Sequence, residues 1–227
     1  MRCHIYLFRH GQTHFNRAKR FTGWLDSRWT AEGAKNARTV ARKLRKARID
    51  VGFSTRLTRS QQTLREVLRL HPECRLVFID DRLIERCYGD LQGKSHASFI
   101  RQNGKSLFDT YHRSYDIPPP NGESIKMVEK RVRSFIRELI TFIRTYHVNV
   151  AISAHGNSMR PFRRYFENAS VTQMMRWNLP YDDFFEYVVD VPSRGASAPS
   201  KTSWKPVHLP SDVKMATDRR NILKKYY

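Results

Sequence analysis

Two hydrophobic periods take turns along this chain, and that exchange constrains the fold more than any other feature. Short apolar runs at Cys3–Phe8, Ile49–Ser54, Arg75–Asp80 and Val148–Ser153 have the length and composition of buried strands. Between them lie longer stretches with apolar residues at every third or fourth position. Thr30 is placed to cap a helix running to about Arg48, with Ala34, Ala37, Val40, Ala41, Leu44 and Ala47 on one face. Leu57–Leu70 predicts a second helix. Glu123–Tyr146 predicts the longest, with a stripe from Ile125 through Val132, Phe135 and Leu139 to Ile143. A further helix is expected from about Asn157, and Phe184–Asp190 reads as a late strand. Strands alternating with helices of this length imply βαβ units. The expected fold class is therefore α/β, a three-layer α/β/α arrangement around a largely parallel sheet. Asp81–Gly122 reads as irregular, broken by Gly89, Gly93, Gly104 and Pro118–Pro120. Residues 1–190 are expected to form one catalytic unit and 191–227 a basic C-terminal tail, where Ser, Pro, Lys and Arg replace the apolar pattern.

Two of the strands end alike. "IYLFRHGQTHFN" (Ile5 to Asn16) and "VAISAHGNSMR" (Val150 to Arg160) each pass from an apolar run into His-Gly, then an amide and a hydroxyl residue. In a parallel sheet the ligand sites gather beyond the carboxyl ends of the strands, so His10 and His155 are expected to face one cavity. An imidazole can attack phosphorus and hold the phosphoryl group as phosphohistidine. Such transfer needs mainly positioning and positive donors around the phosphoryl oxygens. Arg9, beside His10, and Arg59, at the head of the second helix, are suited to supply them. A glycine after each histidine lets the backbone approach a ligand closely, and a helix starting near Asn157 directs amide donors at an anion.

Composition narrows the partners. Lys and Arg number 42 against 21 Asp and Glu, a net charge of +21. Such a field suits a small anionic phosphorylated substrate, and it also admits nucleic acid bound through the basic tail. No recognisable RNA- or DNA-reading motif accompanies the charge. Three scattered cysteines form no CxxC pair, which points to a reducing, cytoplasmic setting and to no metal site. The run Ile5–Phe8 is too short for a secretory core, and no segment has the length of a membrane span. Oligomeric state is left open, a homo-oligomer included.

With these residues in view, the chain resembles the histidine phosphatase superfamily and, within it, the cofactor-dependent phosphoglycerate mutases in their short form. "LFRHGQTHFN" resembles the nucleophile motif, which implies phosphorylation at His10. "FTGWLDSRWTAEG" (Phe21–Gly33) resembles the substrate loop, with Thr22 and Gly23 as contacts. "FSTRLTRSQQT" (Phe53–Thr63) is similar to the segment of the second arginine, here Arg59. "LIERCYGDLQGK" (Leu83–Lys94) is similar to the segment of the acid/base glutamate and a substrate tyrosine, here Glu85 and Tyr88. "HRSYDIPPPNGES" (His112–Ser124), "AHGNSMR" (Ala154–Arg160) and "NLPY" (Asn178–Tyr181) complete the likeness, which spans Cys3 to Asp190. It implies a 2,3-bisphosphoglycerate-dependent mutase interconverting 3-phosphoglycerate and 2-phosphoglycerate, a step of glycolysis and gluconeogenesis. The bisphosphoglycerate would prime His10, and no metal is needed. The implied catalytic set is His10, Glu85, His155, Arg9 and Arg59. Asn16, Thr22, Gly23, Tyr88, His96, His112, Arg113, Gly156 and Asn157 would bind substrate. The alternative is a phosphomonoester phosphatase that discharges the same phosphohistidine to water.

Two positions depart from the mutase pattern. His96 stands where the mutases carry a lysine, and His112 precedes Arg113 where they carry paired arginines. A histidine near its unperturbed pKa is mostly neutral at pH 7, so the expected grip on the distal anion of the substrate is weaker. Lys94 lies two positions from His96 and is a candidate replacement.

Overall fold

The computed structural model describes residues 1–191. The strands are β1 (Arg2–Arg9), β2 (Val51–Ser54), β3 (Leu76–Ile79), β4 (Val150–Ala154) and β5 (Phe184–Asp190). The helices are α1 (His14–Arg17), α2 (Ala31–Leu44), α3 (Thr58–Leu68), α4 (His96–Asn103), α5 (Lys105–Arg113), α6 (Ile125–Tyr146), α7 (Gly156–Glu167) and α8 (Val171–Arg176). All five strands join one sheet in the order β3-β2-β4-β1-β5, parallel throughout except for β5, which runs antiparallel to β1 at the edge. The α/β reading thus holds.

The sheet is covered on both faces, as its nearly continuous apolar strands require. Side chains alternate along β1. Ile5 and Leu7 pack with Val150 and Ile152 against Val132, Phe135 and Leu139 of α6 and Phe162 of α7. Tyr6 and Phe8 point the other way, to Val40 and Leu44 of α2 and Leu64 and Val67 of α3. Burying each such side chain contributes roughly 1.5–3 kcal/mol, so the two apolar layers fix which faces the helices occupy.

Helix starts follow the expected chemistry. Thr30 Oγ1 accepts the Gly33 N–H at 3.0 Å at the head of α2, and Ser124 Oγ accepts the Met127 N–H at 3.2 Å at the head of α6. α2 closes at Leu44 rather than continuing to Arg48.

The segment read as irregular differs most from expectation. Asp81–Gly122 contains two 3₁₀ turns, at Asp81–Leu83 and Gly89–Leu91, and the helices α4 and α5. Gly104, with φ +82°, separates the two helices. They carry Phe99 and Phe108 into a third apolar cluster with Phe21, Tyr88 and Leu91. The tail assigned to 191–227 lies, beyond Val191, outside the described residues. No helix among the described residues is long and apolar enough to cross a membrane.

Candidate active site

Register in the sheet assembles the site. β1 and β4 are parallel neighbours with Arg9 opposite Ala154, so His10 and His155 leave the sheet side by side. The His10 N–H donates to the Ala154 carbonyl at 3.1 Å, and the two imidazole centroids lie 5.0 Å apart. Gly11 is required in this turn. A Cβ there would sit 2.2 Å from the Gly33 carbonyl oxygen, closer than any non-bonded contact allows.

His10 Nδ1 lies 2.8 Å from the Gly11 carbonyl oxygen. A carbonyl only accepts, so Nδ1 carries the proton and Nε2 keeps its lone pair. Burial, then the charges of Arg59 and Arg9, hold its pKa well below the ordinary histidine value. The ring is therefore neutral at physiological pH, with the lone pair on Nε2. His155 Nε2 lies 2.8 Å from Thr55 Oγ1, which also accepts the Leu57 N–H. Burial and Arg59 likewise hold His155 neutral in the free protein.

The arginines are pinned by backbone oxygens. Arg9 Nη1 donates to the Leu179 carbonyl at 2.9 Å, and the guanidinium lies over the Tyr181 ring at 3.9 Å. Arg59, 1% exposed, donates to the Leu25 and Gly23 carbonyls at 2.8 and 2.7 Å. Burial lowers its pKa to about 10, opposed by Glu85 and Asp26, and it stays charged. Arg9 Nε, Arg59 Nε and His155 Nδ1 are all buried without a hydrogen-bond partner among the described residues. Leaving such a donor unmet costs about 1–3 kcal/mol. The two arginine donors, grouped about one imidazole, fit an anion with several oxygens.

Glu85 is held from two sides. Its Oε1 accepts the Arg86 N–H at 2.7 Å and the Asn157 N–H at 3.1 Å. The first turn of α7, expected to present its amides to a ligand, thus presents one to the protein's own carboxylate. The Glu85 carbonyl accepts from Trp24 Nε1 and from Arg131 Nη2 of α6. Arg131 also pairs with Glu123 at 2.9 Å, and the Glu123 carboxylate takes the Cys87 N–H. A buried ion pair therefore carries the turn that bears Glu85.

These groups open into a cavity of about 930 Å³. Arg9, His10, Asn16, Thr22, Gly23, Arg59, Glu85, Tyr88, His96, His112, Arg113, Gly156 and Asn157 all line it, as the sequence led one to expect. His155 is not among the lining residues; it is fully buried beside His10. Lys94 is not among the lining residues either. Among the described residues, Lys19, Arg20, Arg160 and Arg176 bring the lining cations to seven with Arg9, Arg59 and Arg113, against one lining carboxylate, Glu85. The sequence reading did not single out these four, nor Trp177, Leu179 and Tyr181. Arg160 and Tyr181 stood inside the quoted motifs; Lys19, Arg20, Arg176 and Trp177 carried no motif signal.

At the distal end, His96 and His112 face each other with centroids 5.2 Å apart. His96 packs on Phe21 at 4.4 Å, and His112 stacks on Phe108 at 5.0 Å. Burial and Lys19 lower the pKa of His96. Burial, then His96, Arg86, Arg113 and Arg160, push His112 down to about 4. Both rings are neutral, aromatic wall rather than cation.

A cage of this kind, built on paired strand-end histidines and arginines, defines a phosphoryl-transfer class. The family model described as the histidine phosphatase superfamily (branch 1) matches residues 5–190, and the chain belongs to that superfamily. Among its relatives, a protein of Pseudoalteromonas atlantica named 2,3-bisphosphoglycerate-dependent phosphoglycerate mutase is 32% identical over 199 residues, covering 76% of this chain and 88% of the relative. A mutase of the same name from Tropheryma whipplei is 34% identical over 216 residues, covering 87% and 97%. The solved structure of Bacillus stearothermophilus YhfR is similar with a TM-score of 0.71 at 26% identity, covering 81% of this chain and 90% of that one. A mycobacterial glucosyl-3-phosphoglycerate phosphatase shares the fold with a TM-score of 0.72 at 22% identity, covering 83% and 91%. Among the described residues no cluster of three or more His, Cys, Asp or Glu is arranged to hold a metal ion.

Proposed function

We propose that the chain transfers phosphoryl groups through a phosphohistidine at His10 and interconverts 3-phosphoglycerate and 2-phosphoglycerate. The observation that carries this reading is the fixed, neutral His10, whose Nδ1–H is held by Gly11 O amid three unmet buried nitrogens. The names of the relatives support the substrate. Bisphosphoglycerate, when bound, supplies the phosphoryl group that first loads His10. Among the described residues, the excess of lining cations over a single carboxylate fits such a polyanion.

The chain's own groups divide the work as follows. His10 Nε2 forms the bond to phosphorus as the bond to the substrate oxygen breaks, and Glu85 gives that oxygen a proton. In the return step Glu85 takes the proton of a substrate hydroxyl as that oxygen attacks phosphorus and Nε2 leaves. Arg9, Arg59 and His155 stabilise the phosphoryl oxygens. Asn16, Thr22, Gly23, Tyr88, Arg113, Gly156 and Asn157 position the substrate. A glycolytic role would place the enzyme in the cytoplasm.

One observation favours a second reading. The neutral, packed His96 and His112 offer little grip on the distal anion, which suits a phosphatase that lets water discharge His10. Product analysis with 3-phosphoglycerate and a trace of bisphosphoglycerate decides. Phosphorus NMR showing 2-phosphoglycerate supports the mutase, free phosphate supports the phosphatase, and neither product removes both. In the mutase, the double change H96K/H112R is expected to lower KM for 3-phosphoglycerate and raise the isomer-to-phosphate ratio.

A further inference from the structure

Tyr181 sits among the reacting groups, yet the chemistry above does not use it. Its ring covers the Arg9 guanidinium at 3.9 Å and meets His10 edge-on, with centroids 6.2 Å apart. His10 thus has buried His155 against one side and Tyr181 among the cavity walls. The segment is stiff where it matters: Leu179 receives the Arg9 hydrogen bond, and Pro180 links it directly to Tyr181.

We propose that Tyr181 is a positioning residue that selects the acceptor of the phosphoryl group on His10. Its ring clamps Arg9 and closes the cavity face of the imidazole to stray water, so the phosphohistidine waits for a substrate hydroxyl. This rests on the phosphohistidine reading. Hydrolysis and transfer are the same bond exchange. An acceptor oxygen bonds to phosphorus, the Nε2–P bond breaks, and the acceptor proton passes to Glu85. They differ in whether the oxygen belongs to water or to substrate, so water exclusion sets the partition. An aromatic face over a guanidinium excludes solvent from that side and attracts the cation to the ring. Removing the ring frees Arg9 and admits water together; removing only the hydroxyl does neither.

The test loads the enzyme with labelled bisphosphoglycerate and follows the acid-labile label on His10, with and without 3-phosphoglycerate. Wild type, Y181F and Y181L are compared, with Y181M added should Y181L fail to give a cooperative thermal transition. Loss of the ring is expected to shorten the phosphoenzyme lifetime in water about tenfold. It should raise the ratio of hydrolysis to transfer by a similar factor, while Y181F stays within about twofold of wild type. Equal lifetimes in all variants overturn the proposal, and so does a Y181F as short-lived as Y181L, which would assign the effect to the hydroxyl. A wild type that takes no label at all brings down the phosphohistidine reading itself.

Discussion

At His10 the Nδ1 proton is engaged by the residue's own neighbour, Gly11 O at 2.8 Å, leaving the lone pair on Nε2, the nitrogen that the proposed reaction loads. The expected result of His10→Ala is complete loss of acid-labile label and a fall in turnover of at least about a thousandfold, read in a single-turnover experiment. In the proposed reaction Glu85 acts differently, on protons rather than phosphorus. Glu85→Gln keeps an acceptor for the Arg86 and Asn157 N–H groups but cannot shuttle a proton. It should slow turnover by roughly 10²–10⁴-fold with the thermal midpoint near wild type. Trapping of label at His10 should outlast its discharge in that variant, which separates the two roles.

The turn bearing Glu85 depends on helix α6. Arg131 grips Glu123 and the Arg82 and Glu85 carbonyls, all from the buried side. Replacing Glu123 by Gln removes the carboxylate charge from this buried pair, a loss of about 3–5 kcal/mol. A urea midpoint well below wild type checks it, together with weakened activity as the Glu85 turn loosens. Such coupling was not readable in the sequence, because Arg131 lies on an otherwise apolar stripe and nothing local marks its partner. The strands and α2, α3, α6 and α7 were readable, since their hydrophobic periods run long enough to show. Helices α4 and α5 were not: each is short, Gly104 divides them, and their buried residues are few, Phe99 and Phe108 among polar neighbours. The thirteen predicted residues that line the cavity were legible through motif resemblance. Lys19, Arg20, Arg176 and Trp177 come to it only by tertiary folding, from segments without a motif of their own.

Charge and burial act on the molecule as a whole. His10, His155, His96 and His112 all have pKa values lowered by burial and neighbouring cations. Below the unfolded histidine value, near 6.5, the unfolded chain takes up protons that the folded chain refuses. Stability is therefore full above that pH and falls as acid is added, for His112 through the window from 6.5 to about 4. Each such histidine contributes a slope of up to about 1.4 kcal/mol per pH unit. Urea midpoints at pH 7, 6 and 5 should drop in order, and H112F should flatten the dependence. The net charge of +21 adds a long-range pull on anionic substrate. The second-order rate constant with phosphoglycerate should consequently fall as salt shortens the Debye length from about 10 Å at 0.1 M. The pairing of β1 with β4 has one more outcome. His10 emerges early in synthesis, but its neighbour His155 and the strand that aligns it come far later along the chain. Until β4 docks, no partially folded species can hold the two rings together. Regain of turnover after dilution from denaturant would thus time the insertion of that central strand, lagging behind the helical signal that α2 and α3 can already produce.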